Sequence, residues 1–258
     1  MSLRISVVTP SYNQASFIER TLRSVVEQTG DFLLEYIIVD GGSTDNSQAI
    51  IERYAKQDAR IRFICEPDSG QSDAINKGLR LATGDIVAFL NSDDIYYPGA
   101  LQAVANEFTK HPERQWLYGL CRIINEDDKE IRRLITFYKE VLGWGYSYSK
   151  LLIVNFISQP ATFWRRSCLD KFGYFNEAEH LVMDYDYWCR LGRQSKPIHC
   201  QKYLAGFRYY QASKSGKNFM QQFTDEYRIA QKYSHNPIIL LLHRWHAALI
   251  KLAYRSSQ

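Results

Sequence analysis

Four times within its first 94 residues this chain runs through a short, largely β-branched apolar stretch and stops on a polar cluster. Residues 5–9, 36–39, 61–65 and 86–90 read as strands. Residues 17–28, 47–55 and 72–81, with apolar side chains at helical spacing, read as the helices between them. Such alternation requires right-handed crossovers, and so predicts a Rossmann-like α/β fold with a mostly parallel sheet flanked by helices. Ligands of these sheets bind beyond the carboxyl ends of the strands. The polar clusters 9–13, 40–45, 66–73 and 91–94 fall at those ends.

After Pro98 the pattern changes. A helix over 99–108 leads to two strands, 116–125 and 130–135, paired around the acidic turn Glu126-Asp127-Asp128. An aromatic stretch (137–148), a strand (161–165), a short helix (167–172) and a helix near 184–191 follow, which together predict a mixed extension of the sheet over the site. Two amphipathic helices are expected behind it, over 217–233 and 238–254, the second with Arg244, Lys251 and Arg255 on a polar side.

Length and composition set the frame for this reading. A chain of 258 residues can bury a full core without staples, as one α/β domain with a C-terminal piece. Its five scattered cysteines contain no C-x-x-C pair, which argues against a zinc knuckle and suits free thiols in a reducing cytoplasm. No apolar run reaches the ~18–20 residues of a membrane span, and the start does not read as a signal peptide. From residue 202 on, nine Lys/Arg face two acids, whereas the rest has 23 against 26. A basic tail on a near-neutral body suits either an anionic neighbour, such as a membrane surface or phosphorylated acceptor, or plain solubility. No nucleic-acid partner is expected.

The polar clusters contain residues that could carry chemistry. In Asn91-Ser92-Asp93-Asp94 a carboxylate after a buried strand can hold Mg2+ or Mn2+, hard ions that favour oxygen ligands and diphosphates. The same residues before Pro98 also read as a helix cap, and spacing leaves both open. Asp40 follows the second strand, where an acidic residue reads a nucleoside in dinucleotide folds. The loop after the first strand, with Pro10 and Tyr12, is not G-x-G-x-x-G, which excludes an NAD dehydrogenase and leaves Tyr12 free to stack on a base. Asp184 reads as a first-turn helix acid or as a general base, while Asp186 points elsewhere on that helix. His243 and His246 could share a helical face, though not with metal-binding spacing, and no G-x-S-x-G supports a hydrolase.

Taken together, S-V-V-T-P-S-Y-N-Q (6–14), I-I-V-D-G-G-S-T-D-N-S (37–47), E-P-D-S-G-Q-S-D-A-I-N-K-G (66–78), A-T-G-D-I-V-A-F-L-N-S-D-D (82–94) and M-D-Y-D-Y-W-C-R-L (183–191) resemble the inverting family 2 glycosyltransferases of GT-A fold, over roughly residues 4–215. The resemblance implies a transferase domain over 1–215, with a nucleotide-binding half (1–97), an acceptor half (98–215) and a helical extension (216–258). It implies a nucleotide-sugar donor, usually UDP-linked, held by Pro10, Tyr12 and Asp40. Asp68, Asp73 and Lys77 would complete the base and phosphate side, with Asn91 and Ser92 beside them. Asp93 would bind Mn2+ or Mg2+, Arg208 would lie near the phosphates, and Asp184 would be the base that deprotonates the acceptor hydroxyl.

Three positions depart from the family: Asn91 stands where Asp is common, Met183 where Glu often precedes the base, and Tyr210 where His often follows the Arg. The Q-x-x-R-W signature of polymerising members is absent, which favours single-sugar addition to a saccharide or lipid-linked saccharide acceptor. The last helix then lies on the inner face of the membrane, or packs on the domain or in a homodimer contact. Two other functions on such a sheet are a nucleotidyltransferase, whose Gly-rich triphosphate loop is missing from 9–13, and a non-catalytic nucleotide-sugar binder.

Overall fold

The computed structural model describes residues 2–255. The first half is β1 (Leu3–Ser11), α1 (Ile18–Val26), β2 (Phe32–Asp40), α2 (Ser47–Gln57), β3 (Ile61–Cys65), α3 (Gln71–Leu81) and β4 (Ile86–Phe89). The second half continues with β5 (Ile95–Tyr96), α4 (Ala100–Lys110), β6 (Trp116–Ile124), α5 (Arg133–Gly143) and α6 (Tyr148–Ile153). A 3-10 turn (Gln159–Ala161) leads into β7 (Thr162–Arg165), α7 (Ser167–Phe172), α8 (Met183–Gln194) and β8 (Ile198–Arg208). The chain then runs through α9 (Lys214–Lys217), α10 (Phe219–Tyr233) and α11 (Pro237–Arg255).

All eight strands form one sheet in the order β3-β2-β1-β4-β7-β6-β8-β5. β3, β2, β1 and β4 are mutually parallel. β7 runs antiparallel between β4 and β6, β8 is parallel to β6, and β5 closes the edge antiparallel to β8. This is the mixed α/β sheet of the GT-A type. Alternation along each strand divides the core between two faces. Val8, Ile37, Val39, Val87 and Phe89 pack on one side with α3 and α8, where Trp116, Trp164 and Trp188 are buried. Val7, Tyr36, Ile38, Ile86 and Ala88 pack on the other with α1 and α4. Strands buried on both faces have no polar alternation, which is why they read as continuous apolar runs. The helix–sheet fit is close at Gly78 of α3, where any Cβ would lie 2.4 Å from a methyl of Val8.

Two expectations need correction. Residues 130–135 are not a strand: Glu130 makes a single antiparallel bridge to Ile124, Arg132 takes a left-handed φ of 53°, and α5 begins at Arg133. Past that bridge and the Ile131 N–H bond to the Ile123 carbonyl the chain turns into α5, so the ladder against β6 goes no further. Residues 198–208, where no strand was expected, form the longest one, β8, whose register against β6 slips around Leu120. Elsewhere α10 and α11 match the two expected tail helices, and the side chain of Arg255 lies outside the described residues.

Candidate active site

The loops that leave β1 and β2 are buttoned to each other. Asn13, at a left-handed φ of 52°, accepts the Thr44 N–H on its Oδ1 at 2.8 Å and donates its own N–H to Ser43 Oγ at 2.8 Å. Gln14 N–H donates to Ser47 Oγ at 2.8 Å and Ala15 N–H to Asp45 Oδ2 at 2.9 Å. Asp40 is wholly buried: Oδ1 accepts the N–H groups of Gly42 and Ser43 at 3.1 and 2.7 Å, and Oδ2 accepts the Ser43 hydroxyl at 2.7 Å. Pro10 is buried in register with Val39, while Tyr12 is 60% exposed, a large ring left standing in water.

The next loop closes against the second. Asp68 Oδ1 accepts the Gly70 N–H at 2.9 Å. Its other oxygen lies so near Gly41 that a Cβ there would sit 2.3 Å away, so a larger residue in that turn would have to displace the Asp68 carboxylate. Asp73 accepts the Ser69 N–H at 3.0 Å, a bond that holds its carboxyl below the usual range. Lys77 Nζ donates to the Pro67 carbonyl at 2.7 Å and pairs with Glu66 and Asp73, each at 3.3 Å. Lys77 and Asp73 therefore brace the loop over 66–73.

At the end of β4 the two neighbouring aspartates have different surroundings. Asp94 is fully buried and accepts the Arg208 N–H at 2.8 Å and Asn91 Nδ2 at 3.1 Å. Burial, with the charge of Asp93 beside it, lifts its carboxyl well above the ordinary value. Ser92 and Asp94 offer their carbonyls to the Thr21 hydroxyl at 2.9 and 2.7 Å. Asp93 is half-buried and accepts the Tyr210 hydroxyl on Oδ2 at 3.1 Å; burial raises its carboxyl too. Arg208 is 1% exposed, and its guanidinium donates to the carbonyls of Asp93 and Asn125 and to the Asp128 carboxylate. It therefore clamps the acidic turn onto the Asp93 turn from behind, instead of facing open space. Arg20 holds the same turn through Glu126 O at 2.6 Å and Asp128 Oδ2 at 3.2 Å.

Asp184 stands in the first turn of α8, half-buried, with Oδ1 accepting the Tyr185 N–H at 2.8 Å. Burial raises its carboxyl, and the positive charges of Lys139 and Lys214 oppose that rise. Lys214 also donates to Gln71 Oε1 at 2.7 Å; Gln71 donates to Asn91 Oδ1 at 2.6 Å, and Asn91 reaches Asp94. One polar chain thus runs from the surroundings of Asp184 to the turn that carries Asp93. Glu226, from α10, is buried beside this group and accepts Asn155 Nδ2 at 3.0 Å and Gln222 Nε2 at 3.3 Å on Oε1. Burial pushes its carboxyl up to about 7, with the charge of Asp184 adding to the rise. Asp186 points away, as helix geometry requires, to Lys232 at 2.8 Å, Arg190 at 3.1 Å and Tyr233 at 2.9 Å. Among the described residues no group of three or more His, Cys, Asp or Glu forms a ready-made metal cage.

The sequence pattern of Glycosyl transferase family 2 matches residues 6–193. The chain belongs to this family. An uncharacterized glycosyltransferase of Nostoc is 37% identical over 135 residues, covering 52% of this chain and 41% of that protein, so the chain spans less than half the length of that relative. A mannosyltransferase of Pyrobaculum calidifontis, solved with GDP-Man and Mn2+, superposes over 100% of this chain and 76% of its own with a TM-score of 0.72 at 20% identity. TarS of S. aureus (residues 1–349), solved with UDP-GlcNAc, covers 90% of this chain and 71% of its own with a TM-score of 0.66 at 18% identity. At those identities the two structures establish the shared fold.

Within this family 2 domain Pro10, Tyr12 and Asp40 lie at the ends of β1 and β2, Asp68 packs against Gly41, and Asn91, Ser92 and Asp93 share the turn after β4. The charge of Lys214 acts on Asp184, and Lys214 reaches that turn through Gln71 and Asn91. Tyr210, marked in the sequence as a departure from His, does land on Asp93. Glu226 and Lys214 escaped sequence reasoning because they lie 42 and 30 residues beyond Asp184, and only the packing of the tail brings them near it. Met183 is buried in the aromatic core beside Ser72 and places no charge next to Asp184.

Proposed function

We propose that this domain transfers one sugar from a nucleoside-diphosphate donor, UDP-linked, to an acceptor hydroxyl with inversion at the sugar carbon. The observation that carries this reading is the chain of polar contacts joining the Asp93 turn to the surroundings of Asp184, at the carboxyl ends of the strands. Tyr12 would stack on the base, while Pro10, Asp40 and Asp68 shape the nucleoside slot. Asp73 and Lys77 keep its third wall in place, and Asn91 and Ser92 present Asp93 to the diphosphate. The bound TarS and mannosyltransferase structures support a nucleotide-sugar donor on this fold.

A single carboxylate such as Asp93 fits a divalent ion that takes its other ligands from phosphate oxygens and water, the usual Mg2+ or Mn2+ arrangement with phosphates. When bound, that ion offsets the charge of the departing diphosphate. Arg208 fixes the turn from which Asp93 projects. Asp184 takes the proton of the acceptor hydroxyl as its oxygen bonds to the sugar carbon, and the breaking bond leaves its electron pair on the diphosphate. Burial raises the Asp184 carboxyl and so makes it a better base, while the charges of Lys139 and Lys214 oppose that rise.

The acceptor we assign is a saccharide or lipid-linked saccharide on the cytoplasmic side, with α11 in peripheral membrane contact. The five free thiols suit a reducing compartment. On this reading residues 1–215 are the transferase domain, and 216–258 are an extension that contributes Glu226 near the acceptor side.

Melting curves with UDP and Mn2+ test the donor site, since a ligand of the folded state alone stabilises by about 2.7 kcal/mol at a hundred times its Kd. The melting temperature should rise with UDP plus Mn2+, and Asp93→Ala should remove the metal-dependent part of the rise. No rise with any nucleoside diphosphate and metal would sink the proposal.

A further inference from the structure

Of the five tryptophans, Trp116, Trp164 and Trp188 are wholly buried, while Trp144 and Trp245 are 69% and 65% exposed. The exposed pair stands on two helical segments that turn apolar faces to solvent. On and just after α5 the exposed residues Leu134, Phe137, Tyr138, Val141 and Trp144 recur at intervals of three and four, which places them on one face. The inward side mixes Leu142, which packs on the core, with polar groups: Thr136 is buried, Glu140 accepts the Tyr203 hydroxyl at 2.6 Å, and Lys139 reaches Ser158 Oγ at 3.5 Å. α11 is apolar on both sides: Ile239 packs on the core and Ala247 is buried, while Ile238, Leu241, Leu242, Trp245, Leu249 and Leu252 face out.

The histidines of α11 face in. His243 is buried and donates from Nδ1 to the Leu152 carbonyl at 2.8 Å. His246 Nε2 lies 2.8 Å from the Tyr138 hydroxyl, and the two rings stack at 6.0 Å and 9°. That contact sets the two apolar faces edge to edge. A surface helix of a soluble domain carries polar residues on the side turned away from the core.

Charge selects the occupant of this surface. Residues 227–258 contain five Lys/Arg and not one Asp or Glu. Arg244, exposed, neighbours Trp245, and Arg133 flanks the start of α5 with its side chain 79% exposed. No helix among the described residues is long and apolar enough to cross a membrane. Exposed Trp, Leu and Phe with basic neighbours fit a helix pair lying in the headgroup plane.

We propose that α5 and α11 together form a platform that seats this protein on an anionic lipid bilayer, with Trp144 and Trp245 at headgroup level. This deepens the membrane contact assigned above to α11 alone, and its test needs no sugar transfer, so its failure would leave the transferase reading standing.

The full chain is mixed with phosphatidylcholine vesicles, with or without phosphatidylglycerol, carrying bromine on the acyl chains as a short-range fluorescence quencher. The three core tryptophans are shielded, so quenching reports on Trp144 and Trp245. Quenching and co-sedimentation are expected with the anionic vesicles and should weaken as salt rises. W144F with W245F should keep sedimentation but lose most of the quenching. L241E with L249E, both at exposed positions, should bind vesicles at least about tenfold more weakly, with the melting temperature unchanged. Absence of sedimentation on anionic vesicles, or sedimentation without quenching, would overturn the proposal. So would a wild-type dimer in light scattering that L241E with L249E converts to monomer, because the surface would then be a contact between copies.

Discussion

The loops of the nucleotide-binding half and the groups around Asp184 are held in opposite ways. In the first, Asn13, Asp40, Ser43 and Asp45 bind backbone groups of the same or the adjoining loop, within about thirty residues, and the turns are fixed before any ligand arrives. Around Asp184 the partners come from afar. Lys214 reaches back 143 residues to Gln71, and Asn155 meets Glu226 across 71. The loops after β1 and β2, built locally, and the surroundings of Asp184, built from distant elements, can vary separately, whereas the Asp93 turn is itself held from afar by Arg208 and Tyr210.

The largest test of that separation is Asp184→Asn. Transfer should fall by about 10²–10⁴-fold, the usual range for a lost general base, while UDP still raises the melting temperature as in the wild type. Unchanged transfer would remove Asp184 from the chemistry. A bare nucleotide-sugar binder would show no transfer in either protein.

Arg208→Met attacks a tie between the two regions. It takes the Arg208 bonds from the carbonyls of Asp93 and Asn125 and leaves Asp128 with Arg20 as its remaining cation, and removing one partner of a buried ion pair costs about 3–5 kcal/mol. Urea unfolding should show a loss near the low end of that range, since Asp128 is partly exposed. A loss below about 1 kcal/mol would mean that the clamp is not what holds the Asp93 turn.

Glu226→Gln probes the distant assembly through pH. The folded-state carboxyl sits at about 7 against an ordinary 4.5, so the folded state holds its proton more tightly than the unfolded chain. Its contribution is therefore full below about pH 4.5 and is lost as pH rises through 7. Gln keeps an acceptor for Asn155 and never ionises. The variant should match the wild type at pH 4.5 and exceed it by about 2 kcal/mol at pH 8. In Asp184→Asn the same pH slope should shrink, because the neighbouring charge is gone.

The smallest expected effect lies in the local loops. Asn13→Ala removes the bond to Thr44 and puts at a left-handed φ a residue that tolerates it less well than Asn, for a loss of about 1–2 kcal/mol by urea unfolding. Asn13→Gly, free of that strain, should lose about half as much.

The same contrast explains what could be read in the sequence. β1 to β4 and their helices were legible because strands buried on both faces are unbroken apolar runs and their polar loops follow directly. β8 was not, because His199, Gln201 and Lys202 interrupt its pattern and its register slips against β6. The error at 130–135 came from weighing β-branched Ile131 and Ile135 above the helical spacing of Leu134, Phe137, Tyr138 and Val141. That spacing faces solvent, where an apolar stripe is not looked for. Family resemblance supplied Asp184, which periodicity alone leaves as a first-turn acid. The clamp role of Arg208 depends on Asp128 arriving from 80 residues away, and no local pattern encodes it.

The seam between β4 and β7 has a consequence for the newly made chain. β4 gains its second neighbour through Ile86 opposite Arg165 and Val87 opposite Trp164, nearly eighty residues later. While the ribosome makes that interval, three parallel strands can already flank one another behind β4, whose outer edge stands with its N–H and C=O groups unpaired. Such an edge invites pairing with another nascent chain. Fragments that stop between residues 97 and 160 should therefore clump during expression, whereas chains that extend through β8, which also pairs β6, should stay dispersed.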